Sequence, residues 1–326
     1  MHPILATLHP ALRTAVLATL LVQGGLLLLA IKAGQSPWLD ALPKPQAGSS
    51  LPAELLLHQL SLLLGEPMRG YVFLAAQKLC CLITTLGVYH FGRKDMLPQT
   101  AERTTWLFAM SPVLWLAPSL PMALAVACGV TALASAVHGR YLLGAIAAML
   151  GALFFPYLAI LSPALLGLGI RARTPHTPAF FPALLAMSPL LGVSLLIFAT
   201  FMCAGAMGIS MRTLSGALPA VYNLETLSQG IDLEARHVLF LAGFFLNLVG
   251  AYRYAGSTPK SWPLLTLPLF LLPLCFAQSG PLLASVALSI PTFAYASKFA
   301  EDPARERPLG ALLLLLCAVL VVGGHL

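Results

Sequence analysis

The chain has 326 residues, of which 59% are hydrophobic and only 9% charged, and its mean hydropathy is +0.87. Soluble domains carry roughly 25% charged residues because water must wet their surface, so this composition excludes an ordinary soluble protein and leaves lipid as the solvent. The formal net charge of +7 is read below as a topology signal, and no nucleic-acid partner is expected.

A hydrocarbon core of about 30 Å needs roughly 20 apolar residues per helix. That ruler predicts about ten spans, near 13–31, 71–90, 104–118, 121–137, 141–155, 157–170, 180–209, 238–252, 262–277 and 281–297, with 309–324 as a further candidate. The first begins like a signal peptide, a short basic segment followed by an apolar run. That run, about 18 residues to Ile31, is longer than a usual signal-peptide core and reads as the first membrane helix. The segments between 104 and 170 are short and divided by Pro118, Pro121 and Pro156. They fit either two hairpins or two broken helices, whose freed backbone groups neighbouring helices re-satisfy. The expected fold is an all-α, polytopic bundle of about ten or eleven transmembrane helices in one domain, 1–326.

Segment 51–64 follows the first span and is too short to cross. Glu54 and His58 lie four apart on one helix face and leucines fill much of the rest, as in an interfacial or re-entrant helix. With the N-terminus placed in the cytoplasm, that side receives Arg13, Arg93, Lys94, Arg103, Arg140, Arg171, Arg173, Arg253, Lys260, Lys298, Arg305 and Arg307. The other side receives Lys32, Lys44, Arg69, Arg212 and Arg236. This bias obeys the positive-inside rule and puts the two long polar connections, 32–70 and 210–237, on the extracytoplasmic face.

Few polar groups could do chemistry. Asp40 lies in the first extracytoplasmic loop beside Trp38, and reads most simply as a solvated or capping residue. Glu54 and His58 form a stripe suited to headgroups or to a ligand. Glu225, Asp232, Glu234, Arg236 and His237 cluster in the second loop, where the acids suit a following helix N-terminus. Gln77, Lys78, Asn247 and Gln278 lie at or near membrane depth. Lys78 is the most expensive of them there; it snorkels, pairs with another helix, or contacts a lipid phosphate. The six cysteines, Cys80, Cys81, Cys128, Cys203, Cys275 and Cys317, all fall in apolar spans and read as packing residues. No metal site or cofactor is expected, since no His or carboxylate accompanies them at ligand spacing. The sequence has no G-x-S-x-G, H-E-x-x-H, Walker A or D-x-x-x-D motif, and no paired halves of the kind transporters show. Small residues recur at Ala123, Ala125, Ala127, Gly129 and Ala132, and at Gly144, Ala145, Ala147, Ala148 and Gly151. They permit close helix packing, either inside the chain or against partners.

The stretch 104–173 carries Leu107-Phe108, Ser111-Pro112, a basic turn His138-Gly139-Arg140, and a Gly/Ala/Pro helix pair ending in Arg171 and Arg173. It resembles the helical core of the membrane glycosyltransferases of the GT-C class. Within that class the chain is similar to the PIG-U subunit family of the glycosylphosphatidylinositol (GPI) transamidase. The matches are Pro219-Ala220-Val221-Tyr222 after a long apolar span, Gly280-Pro281 leading into 282–288, and the charged turn from Lys298 to Arg307 before the last span. The family's Trp-Tyr-Phe-Phe-x-Glu-Met-Phe segment and its Gly-Asp after the Pro turn are missing, so a divergent member is implied. The resemblance implies a non-catalytic subunit in the endoplasmic reticulum membrane that seats GPI lipid or the attachment signal of a substrate protein. Its implied partners are a caspase-like protease subunit and other GPI transamidase membrane subunits. The lipid or substrate contact candidates are then Asp40, Glu54, His58, Lys78 and Asn247. The alternative is a GT-C mannosyltransferase of the GPI pathway, in which an acid of the first extracytoplasmic loop, here Asp40, is the base.

Overall fold

The computed structural model describes residues 10–32, 34, 59–60, 62–64, 68–94, 98–109 and 120–206. Asp40, Glu54, His58 and Asn247 lie outside these residues, as do the spans expected after residue 209 and most of the segment 51–64. The described elements are all helical. In chain order they are α1 (Pro10–Lys32), α2 (Met68–Arg93), α3 (Pro98–Ala109), α4 (Leu120–Val137), α5 (Tyr141–Phe154), a 3-10 helix (Pro156–Leu161), α6 (Ser162–Arg171) and α7 (Phe180–Ala206). Met68–Arg93 and Phe180–Met202 are long and apolar enough to cross a membrane.

The expected spans 13–31, 71–90, 121–137 and 141–155 coincide with α1, α2, α4 and α5 to within three residues. Two others are corrected. The helix expected from 104 begins at Pro98, because its first turns are polar and amphipathic and a hydropathy ruler passes over them. The segment expected as one span over 157–170 is a 3-10 helix followed by a ten-residue α-helix. Pro156 separates the segment from α5. A residue before proline avoids the helical region, and Phe155 is extended there with φ −144 and ψ 95. At about 1.5 Å per residue α5 is about 21 Å long, against about 39 Å for α2.

The turn from α4 to α5 follows from Gly139. Its φ of +71 suits a residue without Cβ. Around it the Arg140 amide donates to Ser135 and the Gly139 amide to Ala136, which satisfies two terminal carbonyls of α4. The turn presents His138 and Arg140 side by side at the end of the bundle. His138 Nε2 then bonds the His90 carbonyl at 2.8 Å, tying the end of α4 to the end of α2.

The interior sets alanines and glycines beside larger side chains such as Phe73, Leu133, Leu165 and Leu185. Ala123, Ala125, Ala127, Ala132, Gly144, Ala145, Ala147, Ala148 and Gly151 are buried, so the small-residue stripes serve packing inside the chain. At Gly192 a Cβ would lie 2.5 Å from the Met149 carbonyl oxygen, and at Gly144 it would lie 2.9 Å from Leu185. Glycine therefore sets how closely α7 lies on α5. Many large apolar side chains point outwards: Leu20, Leu21 and Leu28 on α1, Leu142, Ile146 and Leu150 on α5, and Leu190, Leu191, Leu195, Phe198 and Met202 on α7 are exposed. Water would drive such surfaces together, whereas lipid accepts them. The described part is a membrane-embedded bundle.

Helix directions follow from the cross-contacts. Thr19 meets Thr85 and Gln23 meets Lys78, so α1 and α2 are antiparallel. Gly87 lies against Val130 and His90 against His138, so α2 and α4 are parallel. The Tyr141 hydroxyl donates to the Gly169 carbonyl and its ring stacks on Phe181, so α5 starts where α6 ends and α7 begins. Arg13, Arg93, Lys94, Arg140, Arg171 and Arg173 consequently gather at one end of the bundle, while Lys32 and Arg69 lie at the other. This is the division that the positive-inside count assigned to the cytoplasmic and extracytoplasmic sides.

Candidate functional site

Between α1 and α2 the bundle holds polar groups at membrane depth. Serine and threonine hydroxyls in such helices usually bond back to the carbonyl one turn earlier, and Thr84 and Thr85 do so to Cys80 and Cys81. Thr85 also meets Thr19 across the helix pair at 3.0 Å, with both residues buried. About two turns along, Lys78 Nζ donates to Gln23 Oε1 at 2.8 Å.

That contact decides the orientation of the amide. A lysine ammonium only donates, so the atom of Gln23 facing it is the oxygen. The Nε2 group of Gln23 then points away with its own hydrogens. Gln23 is 4% exposed, and its Nε2 has no hydrogen-bond partner among the described residues. Lys78 is partly buried and forms no ion pair with the described residues. The pair therefore leaves the buried Gln23 amide donor without an acceptor and the ammonium without a counter-charge among the described residues. Glu102 is the one acidic residue among the described residues, and it lies in the first turns of α3.

A buried donor left without an acceptor costs about 1–3 kcal/mol, and an intramembrane charge costs more. The chemical group that relieves both is an anion with several acceptor oxygens, such as a phosphate or a carboxylate. Lys78 stands ten residues from Met68 and fifteen from Arg93, about 15 Å and about 22 Å along the helix. The nearer face is the one away from the basic end.

Of the sequence-level candidates, Lys78 is the one the described residues contain, and of its three readings the structure gives it a helix partner. Gln23 was missed. Its signal was present: an amide inside the first apolar run, facing an antiparallel helix that carries a lysine. No group of three or more potential metal ligands occurs among the described residues. Cys80, Cys81 and Cys128 are free thiols packed in α2 and α4.

No protein-family model matches the sequence, and a comparison with curated proteins finds no match. Among solved structures the chain is similar to the oligosaccharyltransferase of Archaeoglobus fulgidus in two crystal structures. One is tethered with an acceptor peptide containing the NVT sequon via a disulfide bond; it shares 11% identity over 88% of this chain and 47% of that chain, with a TM-score of 0.44. The other is a complex with Zn and sulfate; it shares 13% identity over 86% of this chain and 45% of that chain, also with a TM-score of 0.44. The chain spans less than half the length of either structure.

Proposed function

We propose that this chain is a multi-pass membrane subunit that seats an anionic glycolipid. In the reading its transamidase resemblance implies, the lipid is GPI in the endoplasmic reticulum membrane. The chain holds it without transferring sugar, while a caspase-like protease subunit and other GPI transamidase membrane subunits complete the reaction. The observation that carries this reading is the Lys78–Gln23 pair, in which the Gln23 Nε2 group has no acceptor and the ammonium has no counter-charge among the described residues. A lipid phosphate offers several acceptor oxygens and a negative charge. The GT-C-like stretch 104–173 supports the same class of ligand, since enzymes of that class take lipid-linked donors.

Asp40 favours a second reading, a GT-C mannosyltransferase, because it is the only carboxylate before Glu54 and a carboxylate can accept a proton from a sugar hydroxyl. One experiment separates the two. Cells lacking the chain are complemented with wild type, Lys78→Met or Asp40→Asn, and their GPI precursors are analysed. A seating subunit leaves complete GPI unattached to protein when the chain is absent, lowers attachment with Lys78→Met, and tolerates Asp40→Asn. Precursors lacking one mannose in the Asp40→Asn cells establish the transferase instead.

A further inference from the structure

A second feature of the bundle is independent of the Lys78 pair. At the basic end a cleft of ≈ 260 Å³ opens between α2, α4 and α5. Its walls change character along the helix axis. Ile83, Leu86, Ala134 and Leu143 line the deeper part, while His90, His138 and Arg140 line the end nearest the surface. Ile83 and Leu143 are exposed, so the deeper part opens sideways onto the surface that faces lipid. The mouth is fixed in place: the glycine turn holds His138 and Arg140, and His138 is bonded to the His90 carbonyl. A carbonyl oxygen only accepts, so Nε2 of His138 carries the hydrogen in this contact. Arg93, Lys94, Arg171 and Arg173 belong to the same end.

We propose that this cleft binds an anionic phospholipid of the cytoplasmic leaflet, with its phosphate at Arg140, beside the His138–His90 contact, and the start of an acyl chain against Ile83, Leu86 and Leu143. Three properties select this ligand. The cationic groups stand at the cytoplasmic end, where the leaflet carries negative lipids. The apolar walls lie one to two helical turns deeper, where acyl chains begin. The volume falls short of a typical pocket for a whole drug-sized ligand of roughly 300–1,000 Å³, which suits a headgroup and the first part of a chain. A soluble phosphate has no use for the lateral apolar wall.

Native mass spectrometry of the full chain tests this. Protein in neutral detergent is exchanged with equimolar phosphatidylglycerol and phosphatidylcholine, and the retained lipid is counted. Wild type retains phosphatidylglycerol preferentially. Arg140→Gln lowers that preference by about fivefold, the effect expected for one basic residue at a charged lipid surface. Leu143→Trp, which fills the exposed wall, lowers retention of the bound lipid without changing the protein's charge. Lys94→Gln removes an equal charge outside the cleft and leaves the preference within about twofold of wild type. Equal loss in Lys94→Gln and Arg140→Gln shows general surface attraction and overturns the proposal. So does unchanged retention in Leu143→Trp, and so does displacement of the lipid by inorganic phosphate at millimolar concentration.

Discussion

The hydroxyl of Ser188 donates to the carbonyl of Leu185 at 2.7 Å, and that carbonyl is the one Pro189 deprives of its helical partner. In an α-helix the amide of residue 189 would bond the carbonyl of residue 185, but proline has no N–H. Ser188 supplies the missing donor from its side chain, so α7 runs through Pro189 with this buried carbonyl satisfied.

Ser188→Ala should therefore destabilise the protein by about 1–2 kcal/mol by orphaning a buried acceptor. Pro189→Ala restores the backbone donor, so the double variant Ser188→Ala/Pro189→Ala should recover most of the loss. Thermal unfolding in detergent reads both. A double variant as unstable as Ser188→Ala alone contradicts this account of the helix.

Glycines in the bundle should separate into two classes. At Gly192 an added methyl meets the Met149 carbonyl oxygen at 2.5 Å and the Ala152 Cβ at 2.9 Å. Neither is a flexible side-chain end, so Gly192→Ala should cost about 1–3 kcal/mol through forced separation of α5 and α7. At Gly25 nothing lies within 4 Å. Gly25→Ala should be neutral, or stabilising by up to about 1 kcal/mol, because alanine is the better helix former. Paired melting curves check the contrast, and equal behaviour of the two variants would falsify it.

The Gln23–Lys78 pair should show strong coupling. Gln23→Leu leaves the ammonium without its described partner and should destabilise by about 3 kcal/mol or more, in the manner of a broken buried polar pair. Replacing both residues, Gln23→Leu/Lys78→Met, removes the unmatched donors together and should return stability to near the wild-type value. The doubly substituted protein should fold and yet fail to retain its anionic ligand, which distinguishes a binding pair from a structural one. A double-mutant cycle by thermal unfolding, with lipid retention measured on the same samples, gives both readings.

The division of cations predicts the sidedness of the described helices. Cysteines introduced at Lys94 and Arg173 should react with an impermeant maleimide from the cytoplasmic side of sealed membranes, and one at Lys32 from the opposite side. Labelling of all three from one side contradicts the antiparallel arrangement of α1 and α2.

Most of the described helices were legible because hydropathy is a local signal: the apolar runs that define α1, α2, α4 and α5 end at charged or proline-bearing turns. Pro98 to Arg103 hid the start of α3, since its polar residues belong to an amphipathic helix rather than to a span. The packing role of Gly144 and Gly151 was expected from composition, but its direction, inwards rather than towards partners, depends on which face meets α4 and α7. The donor pair was half legible. Lys78 stands out as a charge among apolar residues, whereas the meaning of Gln23 depends on the register of two helices whose paired residues lie 55 positions apart. The basic cleft was legible only as the turn His138-Gly139-Arg140; His90 joins it through the parallel packing of α2 and α4.

The closely packed pairs, α1 with α2, α2 with α4, α4 with α5, α5 with α7 and α6 with α7, join helices that are near neighbours in the chain. Contacts between elements close in the chain cost less loop entropy than distant ones and form early. A chain emerging N-terminus first thus meets, for each new helix, a partner that has already been made. α4 docks beside α2, α5 and α6 each pack on α4, and of the described helices α7 comes last, with Gly192 against Met149. Among the described residues the order of synthesis and the order of packing coincide, so these helices can pack on one another in the order in which they are inserted.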